Sequence, residues 1–313
     1  RYDLVVGNPP YYETTNPSPT RRLMAGRVNV YLLFIDKALT LLKRGGVLAF
    51  VLPSNFLTNR YAEPFRRYLA AHFEAVDVCV FDDTAQYLNT KQRTCALIVR
   101  NGGRDIDSSS SWHPFSHVVG EAMLFHSRYA IRDLRALTAN ASSLWDMGFR
   151  VSVGNVLWNA SRGALTADSS RTRLIYSDDI RDDGTIAETP RSRGNPDKKP
   201  YIDRPGITTP CIVVNRGHGK SGQYDFRFAM VNTQSTSKRR PYLLENHVLA
   251  IRYVPPTRAS VLNQSQRRGD DVRALQALFR SLKDSRTRAF VGLACANNAM
   301  NVYELQHMLP VYV

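Results

Sequence analysis

The ten residues from Asp3 to Tyr12, DLVVGNPPYY, constrain this chain more than any other stretch of it. Leu4, Val5 and Val6 form a continuous apolar run, the pattern of a buried strand, and Gly-Asn-Pro-Pro ends it. The residue before a proline is driven to an extended conformation, and each proline fixes its own φ near about −65°. Asn8, Pro9 and Pro10 therefore form a nearly rigid bracket, in which the Asn8 side-chain oxygen and the Pro9 carbonyl are expected to face one spot. The Tyr11 ring stands beside that spot as a stacking platform. A planar group bearing an NH2 fits there. Two acceptors on its hydrogens favour rehybridisation of the nitrogen toward sp3 and localise its lone pair as a new bond forms, with no strong base required.

The surrounding pattern predicts an α/β sheet. Asn29 to Arg44 sets Leu32, Ile35, Leu39 and Leu42 at helical spacing, with Lys43 and Arg44 in the last turn and Gly45-Gly46 as a C-cap. Val47 to Pro53 reads as an apolar strand and Glu63 to Phe73 as a second helix, with Phe65, Leu69 and His72 or Phe73 inward. Ala75 to Phe81 and Thr94 to Arg100 follow as two strands, an antiparallel pair. Strand, helix, strand, helix, strand, strand is a parallel sheet ending in a hairpin, and its functional groups belong at the carboxyl ends of the parallel strands. Asn8 to Tyr11 sit at such an end.

DLVVGNPPYY resembles the signature of amino-methyltransferases that use S-adenosylmethionine, (Asp/Asn/Ser)-Pro-Pro-(Tyr/Phe/Trp). With Asn first it is similar to the gamma-class adenine-N6 DNA methyltransferases of bacterial and phage restriction-modification systems. NVYLLFIDKALTLLKRGGVLAFVLPSNFL is similar to the family's next blocks, an Asn-x-Tyr-x-x-Phe helix, a Gly-Gly cap and a strand ending in Pro-Ser. The resemblance implies catalytic roles for Asn8, Pro9, Pro10 and Tyr11, acting on a flipped adenine that takes the sulfonium methyl. It also implies that the start of the helix helps line the cofactor pocket, which makes Asn29 and Tyr31 candidates; helix capping and core packing explain them equally well. FDDTAQYLNTKQRTCALIV resembles the block that supplies a second aromatic against the base, seven residues before a Thr, and Tyr87 stands seven before Thr94. Phe81 is the alternative, a strand-end residue more easily explained as core. Extraction of a base from a duplex costs a few kcal/mol, and stacking of about 1–3 kcal/mol per aromatic face offsets much of it.

The implied fold is the C-terminal half of a Rossmann-like methyltransferase sheet over residues 1–105, then a linker and connecting helices over 106–147. A mixed, β-rich target-recognition domain occupies 148–313. Asp107 to Ser111 carries the linker signal, and Tyr129 to Leu137 reads as one connecting helix. From about Val151 short β-like runs alternate with Gly, Pro, Asp and Ser loops. Two basic stretches interrupt them, Arg191 to Tyr201 and Ser237 to Tyr242. Asp270 is placed to cap a final helix with Val272, Leu275, Leu278, Phe279 and Leu282 on one stripe, and a last short helix begins near Asn301.

Charge follows the same division. The chain of 313 residues carries +15, of which +5 falls in residues 1–150 and +10 in 151–313. A positive surface of that size attracts a polyanion and releases its counterions. Under the resemblance the partner is double-stranded DNA, and Arg191, Arg193, Lys198, Lys199, Lys238, Arg239 and Arg240 are the candidate DNA contacts, arginine suiting guanine edges and lysine phosphate.

Other classes are disfavoured. Cys79, Cys95, Cys211 and Cys295 are dispersed without metal-ligand or disulfide spacing, so no metal is expected. No apolar run approaches the roughly 18 residues of a membrane span and no secretory leader pattern is present, which points to a cytoplasmic protein of a prokaryote or phage. The family's main cofactor pocket, a Gly-rich loop after the first strand with an acidic residue after the second, precedes the Pro-Pro motif and is not found here. Val213 to Gly222 lacks its glycine spacing, and Gly219-Lys220-Ser221 fails as a P-loop because Val214 holds the first glycine position. The chain begins at Arg1 within the expected sheet, so by itself it is expected to bind cofactor weakly or not at all. Asp183 and Asp197-Lys198-Lys199 do not make a nuclease, since no Pro-Asp precedes them; cleavage would belong to a fused or separate nuclease. Two alternatives stay open: a non-catalytic DNA-binding module derived from such an enzyme, and an amino-methyltransferase acting on RNA or protein.

Overall fold

The computed structural model describes residues 1–16, 27–81, 93–102, 108–187, 195–217, 224–233, 239–254, 264–295 and 299–312. The chain divides into two compact units, residues 1–139 with 221–223 and 292–297, and residues 140–220, 224–291 and 298–313.

The first unit begins with β1 (Tyr2–Gly7), a hairpin of β2 (Glu13–Thr15) and β3 (Arg27–Asn29), α1 (Val30–Leu41) and β4 (Leu42–Pro53). Short 3-10 turns at Ser54–Leu57 and Arg60–Ala62 lead to α2 (Glu63–His72), β5 (Glu74–Phe81), β6 (Thr94–Arg100) and α3 (Ser108–Trp112). A second hairpin, β7 (Ser116–Val119) and β8 (Ala122–Phe125), and α4 (Arg128–Thr138) complete it. The hairpin stands where the sequence predicts connecting helices; Gly120, at φ +60°, supplies its turn.

The main sheet has the order β1-β4-β6-β5, with β1 parallel to β4 and β6 antiparallel to both of its neighbours. The carboxyl ends of β1, β4 and β5 therefore lie at one end of the sheet. Leu48, Phe50, Leu52, Val78, Cys95, Leu97 and Val99 bury one face in a core shared with Tyr31, Leu32, Ile35 and Leu39 of α1 and Phe65 and Leu69 of α2. On the opposite face β1 is apolar and exposed. Leu4, 58% exposed, aligns with Val47, and Val6, 66% exposed, aligns with Ala49. Parallel strands are ordinarily covered on both faces, so β1 is the unusual strand of this sheet.

Gly45 and Gly46 do not cap α1. That helix ends at Leu41, its C-cap Leu42 is extended, and the glycines lie within β4. Gly45 takes φ +77°, and a Cβ on Gly46 would stand 2.8 Å from the Tyr2 carbonyl oxygen. They serve the register shift between Tyr2 and Leu4, where β4 bulges past β1.

The second unit holds two four-stranded sheets. One runs β14 (Phe228–Val231), β13 (Cys211–Asn215), β16 (Val248–Tyr253), β9 (Phe149–Val153), all antiparallel. The other runs β10 (Leu165–Thr166), β12 (Tyr201–Ile202), β11 (Thr172–Ile175), β15 (Tyr242–Leu244). Ile175, Tyr242 and Leu244 of the second share a core with Val213, Ala229, Val248 and Ala250 of the first. α5 spans Gln264–Leu282, starting ahead of the Asp270 cap that the sequence predicts; the Asp270 carboxylate instead pairs with Arg273. α6 (Ser285–Ala294) and a π-helical turn at Glu304–Met308 follow. Among the described residues no helix is long and apolar enough to cross a membrane.

Candidate active site

β1 delivers Asn8 to Tyr11 to the carboxyl end of the sheet. Gly7 lies opposite Phe50 of β4, and a Cβ there would meet the Phe50 ring at 3.2 Å, so a small residue lets the strand close on its neighbour just before the bracket. Asn8 and Pro10 are exposed, Pro9 is buried and Tyr11 is half-buried. The structure brings Asn8 and Tyr11 together through a hydrogen bond. The Tyr11 hydroxyl is within bonding distance of Asn8 Oδ1 and lies 2.9 Å from the Val51 carbonyl oxygen. A phenol has one proton and satisfies one acceptor at a time, whereas an amide oxygen has two lone pairs. Tyr11 can thus direct its O–H to the Val51 carbonyl and release that hydrogen bond from Asn8 Oδ1.

Behind Tyr11 stands a set of rings that the sequence does not announce. Tyr31 meets Tyr11 edge-on at 6.3 Å between centroids and Phe56 at 6.1 Å. Tyr31 is buried, and its hydroxyl accepts a hydrogen bond from Tyr61 at 2.9 Å. Burial pushes the Tyr31 phenol well above its ordinary range, with Tyr61 adding to the effect, and burial pushes the Tyr61 phenol up to about 12. Both stay neutral at physiological pH. Asn29 caps α1, its side chain accepting from the Tyr31 N–H at 3.5 Å. The polar groups of these two candidates are thus engaged within the fold.

Arg66 of α2 organises the loop that carries Phe56 and Tyr61. It is fully buried; Nη1 donates to the carbonyls of Phe56 and Asn59, both at 2.7 Å, and Nε to that of Met123 at 2.8 Å. Burial lowers its pKa to about 10, which leaves it charged at neutral pH. A charged residue in the middle of an amphipathic helix reads as surface from sequence; only the three-carbonyl cradle marks it as internal.

Phe81 ends β5 and is 40% exposed, which corrects its reading as core: the last side chain of the strand projects beyond the packed layer. It lies at the same end of the sheet as Asn8 but three strand positions away, about 14 Å of sheet width. Tyr87, with Arg191, Arg193 and Lys238, lies outside the described residues. Lys198 sits over the Trp158 ring at 5.2 Å, and Lys199 is exposed. Arg240 is exposed, its backbone held by Asn232, and Arg239 is half-buried. The two basic stretches leave from opposite ends of β11: Leu174 N–H bonds to the Pro200 carbonyl and Arg173 N–H to that of Pro241.

Residues 1–87, which contain the Asn8 bracket, α1, β4, α2 and β5, match the family model of the Eco57I restriction-modification methylases. The chain resembles restriction-modification methylases. It is 33% identical over 107 residues to the modification methylase CviBIII of Paramecium bursaria Chlorella virus NC1A, a match covering 32% of this chain and 27% of that protein. It is 36% identical over 81 residues to the type II methyltransferase M.PaeR7I of Pseudomonas aeruginosa, covering 23% and 14%. Each match thus spans about a quarter or less of the curated relative's length. Among solved structures, the type IIL restriction-modification enzyme MmeI in complex with DNA aligns with 96% of this chain and 54% of its own, at 12% identity and a TM-score of 0.46. The M protein of the type I enzyme EcoKI aligns over 34% and 23%, at 23% identity and a TM-score of 0.30.

Proposed function

We propose that this chain is part of a DNA methyltransferase that moves a methyl group from S-adenosylmethionine to the N6 amine of an adenine flipped out of duplex DNA, within a restriction-modification system. The observation that carries the reading is the bracket itself. Asn8 offers an exposed carbonyl oxygen at the carboxyl end of a parallel strand, beside a tyrosine whose hydroxyl has a second acceptor to turn to. The match of residues 1–87 to restriction-modification methylases supports it.

As second substrate, S-adenosylmethionine supplies an electrophilic methyl. The residues of this chain fit the acceptor side of that reaction. When the adenine arrives, the Tyr11 hydroxyl turns its hydrogen bond to the Val51 carbonyl, Asn8 Oδ1 and the Pro9 carbonyl accept hydrogen bonds from the N6 amine, and the Tyr11 ring stacks on the base. The nitrogen lone pair is then localised as the N–C bond forms and the donor's S–C bond breaks, its electron pair staying on sulfur as a neutral thioether, and the surplus N6 proton leaves to water past the same acceptors. As the donor's main pocket the described residues do not fit: the Asn29 side-chain oxygen caps α1 and the Tyr31 hydroxyl is bonded in the core. We assign that pocket to a further α/β layer docking on the open edge and apolar face of β1, where Tyr2, Leu4 and Val6 are exposed. The basic second unit holds the duplex.

The test uses the complete gene product that contains residues 1–313, labelled S-adenosylmethionine and duplex DNA. Label should appear on adenine. Asn8→Ala should cut transfer by at least about a hundredfold, the scale of losing one preplaced polar group, with DNA affinity unchanged. Equal loss of transfer and DNA binding, or label on another base, would sink the reading.

A further inference from the structure

Outside the basic stretches, the second unit carries a stacked ladder that the proposed methyl transfer does not use. The Arg150 guanidinium carbon lies over Trp145, 3.6 Å from the ring centroid. Trp145 in turn meets His307 at 5.2 Å and 32°, and His307 meets Tyr303 at 4.9 Å and 29°. The ladder is built into the fold. Arg150 Nη1 donates to the carbonyls of Trp145 and Phe149, the Trp145 N–H donates to the Gln306 carbonyl, and the Val151 N–H donates to Gln306 Oε1. Yet Trp145 is 44% exposed.

The charge beside it is uncompensated. Arg252 of β16 is the cross-strand partner of Arg150 on β9. Like charges directly opposite one another destabilise a sheet, and among the described residues neither arginine has an acidic partner within salt-bridge distance. The exposed Asp146 nearby accepts instead from Ser143, at 2.6 Å. A planar cation on an aromatic ladder, next to a second cation that is held by a neutral partner, its Nη1 donating to Ser152 Oγ at 2.8 Å, suits a planar ring that carries an anion. A nucleotide is such a group, with its base stacking on the outer plane of Arg150 and its phosphate against the arginine pair.

We propose that the Arg150–Trp145–His307–Tyr303 ladder is a stacking site for an unpaired nucleotide, with Arg150 as the platform and Arg252 on the phosphate. The proposal rests on the reading of this chain as a nucleic-acid protein, but it concerns a separate surface, and Asn8→Ala should leave it untouched.

The experiment compares an oligo-dA strand with an abasic strand of equal length and charge, by fluorescence anisotropy. The unaltered protein should prefer oligo-dA by about 5- to 150-fold, the range expected for one stacked base. Trp145→Ala should remove that preference, and so should Arg150→Lys, which keeps the charge and loses the plane. Arg252→Gln should weaken both strands equally. Where Trp145→Ala does not fold, Arg150→Lys decides. Equal affinity of the unaltered protein for the two strands, or a preference that survives Arg150→Lys, overturns the site. Failure here with adenine methylation intact leaves the methyltransferase reading standing.

Discussion

The cation that orders the candidate site of the first unit is buried, whereas candidate DNA-contact cations of the second are exposed. Arg66 is fully buried and spends Nε and Nη1 on three backbone carbonyls, so that the loop carrying Phe56 and Tyr61 is held in one arrangement behind Tyr11. Lys199 and Arg240 in the second unit stand in solvent without an acidic partner among the described residues. A buried cation bonded to the backbone fixes geometry, and its loss strands every group it served. An exposed cation fixes nothing and contributes by summation with its neighbours over a long range. Chemistry that needs positions held to fractions of an ångström belongs in the first setting, and capture of a long polyanion in the second.

The sharpest way to break this comparison is Arg66→Met. The buried Phe56 carbonyl and the part-buried carbonyls of Asn59 and Met123 lose their donor, at about 1–3 kcal/mol for the buried one and less for the others, so denaturant unfolding should report a loss of about 2 kcal/mol or more. A loss below about 1 kcal/mol would mean that the loop does not depend on Arg66, and the contrast between the units would fail.

Tyr11 comes next, because its ring and its hydroxyl make separable contributions. Tyr11→Ala removes the platform and should cost roughly 1–3 kcal/mol of base stacking, seen as weaker fluorescence change of 2-aminopurine placed at the target base. Tyr11→Phe keeps the ring and deletes only the hydrogen bond to Asn8 or Val51, a net effect of about 1 kcal/mol or less. If the two variants behave alike, the hydroxyl rather than the ring is what matters.

Alkaline pH tests the buried ring set with a sign that can be worked out beforehand. The folded state holds the Tyr61 proton up to about 12, whereas an unfolded tyrosine releases it near about 10. That stabilising contribution is complete below pH ~10 and is lost as pH rises through about 12. Arg66 acts oppositely in the same window, since its folded pKa is lowered to about 10 and the unfolded chain keeps that proton longer. Tyr61→Phe removes the tyrosine part alone. Its unfolding midpoint should fall less than that of the unaltered protein between pH 10 and 12, and an equal or larger fall would place Tyr61 outside the buried set.

What could be foreseen here depended on whether the cause was local. The bracket at Asn8, α1, α2 and the β5–β6 pairing are written in proline geometry and in apolar spacing, and each can be deduced without knowing what lies beside it. Gly45 and Gly46 carry an equally strong local signal, yet they serve a bulge against Tyr2, which is forty-odd residues away in the chain. Arg66 is the extreme case: its neighbours in sequence say surface, and its three acceptors come from Phe56, Asn59 and Met123. The Trp145 ladder likewise joins a turn before β9 to the π-helical turn at Glu304–Met308, a pairing that no window of sequence contains.

The smallest expected effects lie in the second unit, and they discriminate between cations that look alike in the sequence. Arg171 is exposed, but it pairs with Asp203 at 2.8 Å and with Asp168 at 3.6 Å. Its charge is already met, so Arg171→Gln should leave the salt dependence of duplex binding unchanged. Arg240→Gln and Lys199→Gln each remove an uncompensated charge. Each should lower the slope of log affinity against log salt by about one, with a change in stability within about 0.5 kcal/mol. Because these two residues leave from opposite ends of β11, they share no partner, and the double variant should lower the slope by about two. A single variant that leaves the slope unchanged, with the double variant no different from the other single one, would mean that the duplex reaches only one end of that strand, and the recognition surface would then be confined to the side that responds.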